Sequence, residues 1–298
     1  MKGTTFKMAD KLVKIGIPTG SLNKATIELF RKAGFHIFES KRSYFPQIDD
    51  EFIQPICLRA QEMSDYVADG LLDAGITGYD WIIENESDVI EVTELQYSKV
   101  TSRPARWVLA VPNESKLQKP EDLQGKIVAT ELVNVTRKYF ARKCVDAKVE
   151  FSWGATEVKA RLVDAIVELT ETGSSLQANN LRIIDTVTTS TTKFISNKNT
   201  WKDKQKRKKI ENIAILLKAA IEARNQVGLK MNVKRENFER ILKILPAEKS
   251  PTISNLADSE FVAVEVIVED KVERSLVPAL KRAGASGIIT YPVNKVIH

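Results

Sequence analysis

The sequence Asp164-Ala-Ile-Val-Glu-Leu-Thr-Glu-Thr-Gly-Ser-Ser-Leu176 passes from an apolar run through a polar turn into a second apolar pattern. Ala165–Leu169 is therefore predicted to be a buried strand, and a helix is predicted to start after Gly173. Glycine at this turn tolerates a positive φ and lets a ligand approach the backbone closely. The turn also carries three hydroxyl side chains, those of Thr172, Ser174 and Ser175. With the backbone N–H groups of the helix start, they predict a cradle for one phosphate.

Three carboxylates accompany this turn: Asp164, Glu168 and Glu171. A Thr-Gly-Ser-Ser turn alone is more often a capped connection between strand and helix, without a ligand. Neighbouring carboxylates would repel a bare anion, so they favour a ligand that combines a phosphate with ribose hydroxyls or with bound Mg²⁺. The turn lacks the lysine and the spacing of a nucleoside-triphosphatase loop, which excludes that class.

Strands and helices alternate through the first two-thirds of the chain. The predicted strands are Val13–Ile17, Ile56–Arg59, Asp73–Thr77, Val89–Glu94, Trp107–Val111, Lys126–Thr130 and Glu150–Trp153, and predicted helices include Asn23–Ala33, Gln61–Asp69 and Val135–Lys143. One long β-rich stretch, Ile183–Ile195, is expected to lead back to the first unit. This alternation predicts two α/β lobes with parallel-rich sheets. Two crossings between lobes would leave a cleft, a common place for ligands.

The last part of the chain has another element order. Its predicted elements are strand Val227–Val233, helix Arg235–Leu245, strands Thr252–Leu256 and Phe261–Glu269, helix Val272–Ala283 and strand Gly287–Pro292. The order βαββαβ is that of a ferredoxin-like domain, which does not by itself establish a role. We therefore expect residues 11–112 and 187–224 to form lobe I, residues 113–186 lobe II and residues 225–298 a third domain.

Composition narrows the function classes. The 298 residues carry a net charge of +6, and much of the excess lies in Trp201–Lys209, a run that we interpret as the solvated start of a helix. Aromatic residues do not alternate with these basic residues, which argues against nucleic-acid binding. Cys57 and Cys144 lie far apart and predict buried, unpaired thiols. No apolar run approaches the ~20 residues of a membrane helix, and Met1–Lys14 lacks the apolar core of a signal peptide, so we expect a cytoplasmic protein.

Several further blocks, taken in order with residues 164–176, resemble the ATP phosphoribosyltransferase family. In the first lobe these are Leu58–Met63 and Tyr66–Trp81, and in the second lobe Gly125–Thr130 and Gly154–Val158. In the tail, Ser250–Ile253, Leu256–Asp258 and Gly284–Ile289 are similar to the regulatory domain of the long form of this family. The resemblance covers nearly the whole chain.

The resemblance implies an α/β fold with a two-lobed, periplasmic-binding-protein-like catalytic core and a C-terminal ferredoxin-like (ACT-like) domain. It implies transfer of a phosphoribosyl group from phosphoribosyl pyrophosphate to N1 of ATP, the first step of histidine biosynthesis. It also implies Mg²⁺ as cofactor, histidine and possibly AMP as inhibitors, and homo-oligomers ranging from dimer to hexamer. A non-catalytic solute-binding protein of the same architecture is the alternative, but such proteins usually carry an export signal.

Carried over residue by residue, the family pattern puts the 5′-phosphate at Thr172–Ser175. Asp164 and Glu168 would face the ribose, with Glu168 as the one protein ligand of a substrate-borne Mg²⁺. The opposing wall would consist of Arg59, Gly78, Tyr79 and Asp80, and Glu157 is a further candidate in the cleft. Arg59 in a structural ion pair and Glu157 as a helix-start carboxylate are the plainer alternatives. The regulatory site would include Thr252, Ala285 and Ser286.

Two further features limit this assignment. The nucleophile N1 needs no strong base, and His36 and His298 are expected to be structural, so no catalytic residue is assigned. The family's first loop commonly reads Pro-Lys-Gly-[Arg/Ser]-Leu, whereas Thr19 replaces the lysine in this chain. Either another cation, Lys24 or Arg103, takes its place, or pyrophosphate binds less tightly.

Overall fold

A computed structural model describes residues 12–40, 43–97, 104–246 and 251–297 of the chain. They divide into two compact units, unit 1 up to Lys218 and unit 2 from Ala219 onward. No helix in these ranges is both long and apolar enough to cross a membrane. Arg103, Ser250 and His298 lie outside the described residues.

The first lobe of unit 1 is built around a five-stranded sheet. Its elements in chain order are β1 (Val13–Pro18), α1 (Asn23–Ala33), β2 (Ile37–Ser40), β3 (Ser43–Ile48), β4 (Ile53–Leu58), α2 (Ala60–Ala68), β5 (Ala74–Gly78), α3 (Tyr79–Glu84) and β6 (Ile90–Leu95). Strand β1 pairs in parallel with β4 and β5, and its nearly continuous apolar sequence suits burial on both faces. Helix α1 ends at Gly34 in the left-handed region, a common helix stop.

The second lobe contains another five-stranded sheet. Its elements are β7 (Ala105–Pro112), β8 (Ile127–Thr130), α4 (Val133–Arg142), β9 (Lys148–Phe151), α5 (Thr156–Lys159), β10 (Ala165–Thr170), α6 (Ser174–Ala178) and β11 (Leu181–Ser190). The strand order is β11-β7-β10-β8-β9, with β10 parallel to β8 and antiparallel to β7. Buried Trp107, Leu109 and Phe140 belong to the core beneath this sheet.

The chain then returns to the first lobe through β12 (Thr192–Ser196), α7 (Lys198–Lys202) and α8 (Lys204–Glu222). Strand β12 lies between β5 and β6, which completes the sheet order β4-β1-β5-β12-β6. The basic run at the start of α8 is partly neutralised, since Lys206 pairs with Asp73 and Lys209 with Asp50. That arrangement fits the interpretation of the run as a solvated helix start.

Unit 2 contains β13 (Gln226–Lys234), α9 (Phe238–Leu242), β14 (Thr252–Asn255), β15 (Phe261–Glu269), α10 (Asp270–Arg282) and β16 (Ser286–Pro292). The antiparallel sheet has the order β14-β15-β13-β16, and its buried core includes Leu229, Val264 and Leu280. The predicted βαββαβ order is confirmed. The fold class inferred from the sequence, a two-lobed α/β core with a ferredoxin-like domain, is confirmed as well.

Several expectations need correction. Lobe II was expected to comprise residues 113–186. Its sheet also includes β7, which lies before this range, and the end of β11, which lies after it. The β-rich stretch Ile183–Ile195 does lead back to the first lobe as expected, and it does so as two strands, β11 and β12, that separate at Thr191. The hairpin β2–β3 and helix α3 were not predicted. Cys144 is exposed and Cys57 only partly buried, so the expectation of two buried thiols was wrong.

Candidate active site between the two lobes

A cleft of about 720 Å³ opens between the two sheets of unit 1. Lobe I contributes residues from Thr19–Leu22, Arg59–Gln61, Gly78 and Leu95–Tyr97. Lobe II contributes Glu131 and the segment from Glu168 to Ser175, and the crossing between β11 and β12 adds Ser190–Thr192. The cleft therefore lies where the sequence predicted a ligand site.

The turn that the sequence predicts to hold a phosphate, Thr172–Ser175 (the phosphate turn), follows β10 at the cleft. Gly173 is buried with φ +81°, a conformation that favours glycine, and its N–H donates to the Thr170 hydroxyl at 2.7 Å. The side chains of Thr172, Ser174 and Ser175 are exposed toward solvent. Helix α6 has only five residues, so its dipole adds little, and hydroxyl and N–H groups must make the contacts.

Carboxylates surround the turn. The Ser175 hydroxyl donates to Glu157 at 2.5 Å, so Glu157 lies beside the phosphate turn although it does not line the cleft. Burial raises the pKa of Glu168 to about 7; the Thr156 hydroxyl opposes this shift, and the neighbouring charges of Glu157 and Glu131 add to it. Near neutral pH, Glu168 is therefore poised between its protonated and charged forms.

The charge of the cleft is mostly negative. Asp80, Glu131, Glu168 and Glu171 line it, and Arg59 is the single lysine or arginine among the described lining residues. Within residues 12–40, 43–97, 104–246 and 251–297, no group of three or more His, Cys, Asp or Glu side chains could hold a metal ion. Glu131, Glu168 and Glu171 supply oxygen donors of the kind that Mg²⁺ prefers, which fits an ion coordinated mainly by a substrate.

Arg59 and Gly78 lie on the opposing wall. Arg59 immediately precedes α2, is exposed, and forms no ion pair with the described part of the chain, so the plainer alternative of a structural pair is not observed. Gly78 has no room for a side chain, because an added Cβ would lie 2.0 Å from Oδ1 of Asp80. Asp80 itself is 3% exposed, and burial raises its pKa.

Other predicted residues lie elsewhere. Asp164 is a correction: it stands at the start of β10, accepts from the Ile127 N–H at 2.9 Å and pairs with Lys126. A six-residue strand spans about 20 Å, so Asp164 and the phosphate turn occupy opposite ends of β10. Tyr79 does not line the cleft either, and its ring lies under the ammonium group of Lys193.

Thr19 lines the cleft at the end of β1, as its place in the family loop implied. Lys24, the substitute cation considered above, is not among the lining residues. Sequence reasoning missed Gln61 and Glu131, whose side chains meet across the cleft at 3.4 Å. The available signal for Glu131 was its place directly after β8, at the strand ends where ligands of α/β sheets commonly bind.

Comparisons with known proteins identify the relatives of this two-lobed site. The family model described as ATP phosphoribosyltransferase matches residues 59–219, and that of the HisG C-terminal domain matches residues 223–295. The chain belongs to the ATP phosphoribosyltransferase family. It has the C-terminal domain of the long form, and as a family member it is a glycosyltransferase.

Individual proteins of this family align with almost the full length of the chain. The ATP phosphoribosyltransferase of Chlorobaculum parvum is 56% identical over 290 residues, which are 97% of this chain and 99% of that protein. The protein of the same name from Chlorobium phaeobacteroides is 58% identical over 287 residues, 96% of this chain and 98% of its own. A chain of the ATP phosphoribosyl transferase (HisG:HisZ) complex from Thermotoga maritima superposes with a TM-score of 0.59 and 27% identity, covering 70% of this chain and 99% of that one.

The expected regulatory residues of this family member lie in unit 2. Thr252 begins β14 and is exposed, whereas Ala285 is buried and Ser286 begins β16. The Ser286 hydroxyl donates to the carbonyl oxygen of Asn232 at 3.2 Å. Strands β14 and β16 form opposite edges of the sheet, roughly 14 Å apart at ordinary strand spacing. Within one chain, Thr252 and Ser286 therefore do not meet.

Proposed function

We propose that this enzyme transfers the phosphoribosyl group of phosphoribosyl pyrophosphate to N1 of ATP, giving phosphoribosyl-ATP and pyrophosphate, the first step of histidine biosynthesis. The observation that supports it most is the pairing of the Thr172–Ser175 turn with the Glu168 carboxylate in one cleft. This pairing suits a ligand with a phosphate at one end and ribose hydroxyls beside it. The opposite wall, with Arg59, leaves space for the nucleotide.

The 5′-phosphate of the donor would accept hydrogen bonds from the hydroxyls of Thr172, Ser174 and Ser175. Ser175 now donates to Glu157, so phosphate binding would exchange one acceptor for another. Gly173 would let the phosphate approach the backbone without a side chain in between. Glu168 would then face the ribose hydroxyls, and Glu171 would stand at the edge of the same turn.

The reaction breaks the C1′–O bond to pyrophosphate while the N1 lone pair of ATP forms the new C1′–N bond. The bonding electrons leave with pyrophosphate, so negative charge grows there as positive charge develops on the ribose. When bound, Mg²⁺ stabilises the charge on pyrophosphate. Arg59, the one lysine or arginine among the described lining residues, would assist, and Glu168 would hold the ribose and the metal. Because N1 is already nucleophilic, the protein's main contribution is positioning.

The direct assay mixes the purified protein with ATP, phosphoribosyl pyrophosphate and Mg²⁺. We expect phosphoribosyl-ATP and pyrophosphate in equal amounts by chromatography and mass spectrometry. Omitting either substrate should abolish both products. Binding of phosphoribosyl pyrophosphate without any product in the complete mixture would instead support the solute-binding alternative.

We also propose feedback inhibition by histidine through unit 2. The exposed start of β14 at Thr252 and the Gly284–Ser286 entry to β16 offer hydroxyl and backbone groups for an amino acid. One histidine is too short to reach both edges of one sheet, so each edge has to be tested separately. AMP as a second inhibitor, homo-oligomeric assembly and cytoplasmic location remain predictions from the family resemblance.

A further inference from the structure

Helix α3 is short, yet it packs against the cores of both lobes. Ile82 is buried in the lobe I cluster that contains Met63 and Ile195. On the other side, Trp81 and Ile83 pack against the lobe II core. The Trp81 ring meets the Trp107 ring edge to face, with centroids 6.1 Å apart. In the sequence, the helix lies between two strands of lobe I, but its side chains pack against the cores of both lobes.

Asp80, at the start of α3, is hydrogen-bonded to two strands of the second sheet, β7 and β11. Its Oδ2 accepts from Nε1 of Trp107 at 2.6 Å, and its Oδ1 accepts from the Ser190 hydroxyl at 2.9 Å. The Asp80 N–H also approaches the Ser190 oxygen at 3.1 Å. Trp107 lies in β7 and Ser190 ends β11, and these strands pair beside the crossings, at Ala105 and Ser190. Asp80 thus holds β7 and β11 from lobe I.

Glu84 fastens the other end of α3. Its carboxylate is buried and accepts from the backbone N–H groups of Asn134 at 2.8 Å and Val135 at 2.9 Å, in the first turn of α4. The Asn134 side chain donates to the Glu84 carbonyl oxygen at 3.0 Å. A carboxylate at a helix start is favourable, and these N–H groups have no partner within their helix. The last residue of a lobe I helix therefore caps a lobe II helix.

The next residue connects this junction to the cleft wall. The Asn85 side chain donates to the carbonyl oxygen of Gln61 at 2.8 Å and to the Ser64 hydroxyl at 3.1 Å. Gln61 lines the cleft in the first turn of α2, and so does Arg59, the residue before this helix. Because these contacts join α3 to the lobe I wall, a displacement of α3 relative to lobe II would move this wall together with the helix.

We propose that α3 is a strap that fixes the separation of the two cleft walls, with Asp80 and Glu84 as its positioning residues. Neither carboxylate needs to touch a substrate, because both already use their oxygens within the protein. Two substrates held by opposite walls react only if the walls keep their spacing, and a misplacement of about 1 Å can cost about a hundredfold in rate. The contacts that form the strap lie within the protein and involve no ligand, so this proposal goes beyond the proposed function.

The kinetic test compares Glu84→Gln and Glu84→Ala with the control Glu86→Gln. Glu86 also reaches across the lobe boundary, to Lys138, but both side chains of that pair are mostly exposed. We expect kcat to fall roughly tenfold in Glu84→Gln and further in Glu84→Ala, since relative orientation is lost. The Kd of each substrate bound alone should stay within about twofold, because each wall keeps its own contacts. The control should match the parent enzyme.

The structural test needs no substrate. Spin labels are placed on the exposed native Cys144 in lobe II and on Glu51→Cys in lobe I, with Cys57→Ala removing the other native thiol. Labelled chains are diluted into unlabelled protein, so that only distances within a chain are recorded. We expect one narrow distance distribution in the parent and in Glu86→Gln, and a broadened one in Glu84→Ala.

Glu84→Gln removes a single hydrogen bond, and Ser190→Ala removes the two that the Ser190 hydroxyl makes with Asp80, so both variants serve if Glu84→Ala does not fold. A narrow, unshifted distribution together with an unchanged kcat in these variants would overturn the strap. That result would leave the transferase assignment intact. A broadened distribution in a protein that makes no phosphoribosyl-ATP would instead support the strap and refute the proposed function.

Discussion

The backbone of Gly173 allows the phosphate turn to be tested at a single residue. Its φ is +81°, and an added Cβ would meet only Ile183, at 4.0 Å. Gly173→Val should therefore cost about 1–3 kcal/mol of stability through backbone strain and should also block phosphate approach. We expect a rise in KM for phosphoribosyl pyrophosphate of about a hundredfold or more, corresponding to at least 2.7 kcal/mol.

The matched control is Gly125→Val. Gly125 has φ +69°, open space around it and no place in the cleft lining, so the strain is similar. Thermal melting should show comparable losses of stability for the two variants, while steady-state kinetics should separate them. Equal kcat/KM in Gly173→Val and Gly125→Val would mean that the phosphate does not bind at this turn.

Glu168 gives the enzyme a pH-dependent stability. Its folded-state pKa of about 7 lies above the ordinary value of 4.5, so folding favours the protonated form. The stabilisation from this group is complete below pH 4.5 and is lost as the pH rises through 7. In metal-free buffer, Glu168→Gln should thus raise the free energy of unfolding at pH 8 by an amount of order 2 kcal/mol, and hardly change it near pH 4.

Denaturant unfolding at the two pH values checks this prediction, with the exposed Glu51→Gln as the control. The difference between Glu168→Gln and the parent should follow a single titration centred between 4.5 and 7. A stability difference that does not change between pH 4 and pH 8 would show that burial does not perturb this carboxyl.

The edges of the unit 2 sheet are the elements that test histidine inhibition. Thr252 is exposed at the start of β14, and Ser254 lies two residues further along the same strand and on the same face. Thr252→Ala should weaken inhibition by a few-fold to about tenfold, as expected for one hydrogen bond of about 0.5–1.5 kcal/mol. Ser254→Ala should leave it unchanged.

Inhibition curves with histidine show whether Thr252→Ala, but not Ser254→Ala, weakens inhibition. Calorimetry on the intact enzyme measures histidine binding itself. Ser286→Ala examines the opposite edge, where the hydroxyl already donates to Asn232. If calorimetry detects no histidine binding to the intact chain, regulation through unit 2 is wrong whatever the variants do.

Whether a secondary-structure element could be predicted from the sequence depended largely on its length. Strand β10 and the turn after it were predictable, because an apolar run and a glycine-hydroxyl turn have local signatures. Helix α3 has six residues, too few for a helical period to appear, although it joins the two lobes. The hairpin β2–β3 was missed for a related reason: exposed Phe38, Tyr44 and Phe45 obscure the alternation expected of a half-buried strand.

For the whole molecule, the order of elements was predictable, whereas their spatial neighbours were only partly so. The βαββαβ tail and the two lobes follow from local patterns. Asp164 failed as a site residue because closeness in sequence does not tell which end of a strand faces the cleft. Asp80 and Glu84 were beyond sequence reasoning as lobe connectors, since their partners lie up to 110 residues away.

The central claim is that a preformed cleft with fixed walls places phosphoribosyl pyrophosphate at the Thr172–Ser175 turn. A crystal structure of the enzyme with this substrate and Mg²⁺ tests it most directly. The account predicts the 5′-phosphate within hydrogen-bond distance of Ser174 and Ser175, the ribose hydroxyls at Glu168, and the Glu84 contacts to α4 unchanged. A 5′-phosphate bound instead at the Thr19–Leu22 loop, or lobes that have separated at Glu84, would contradict it.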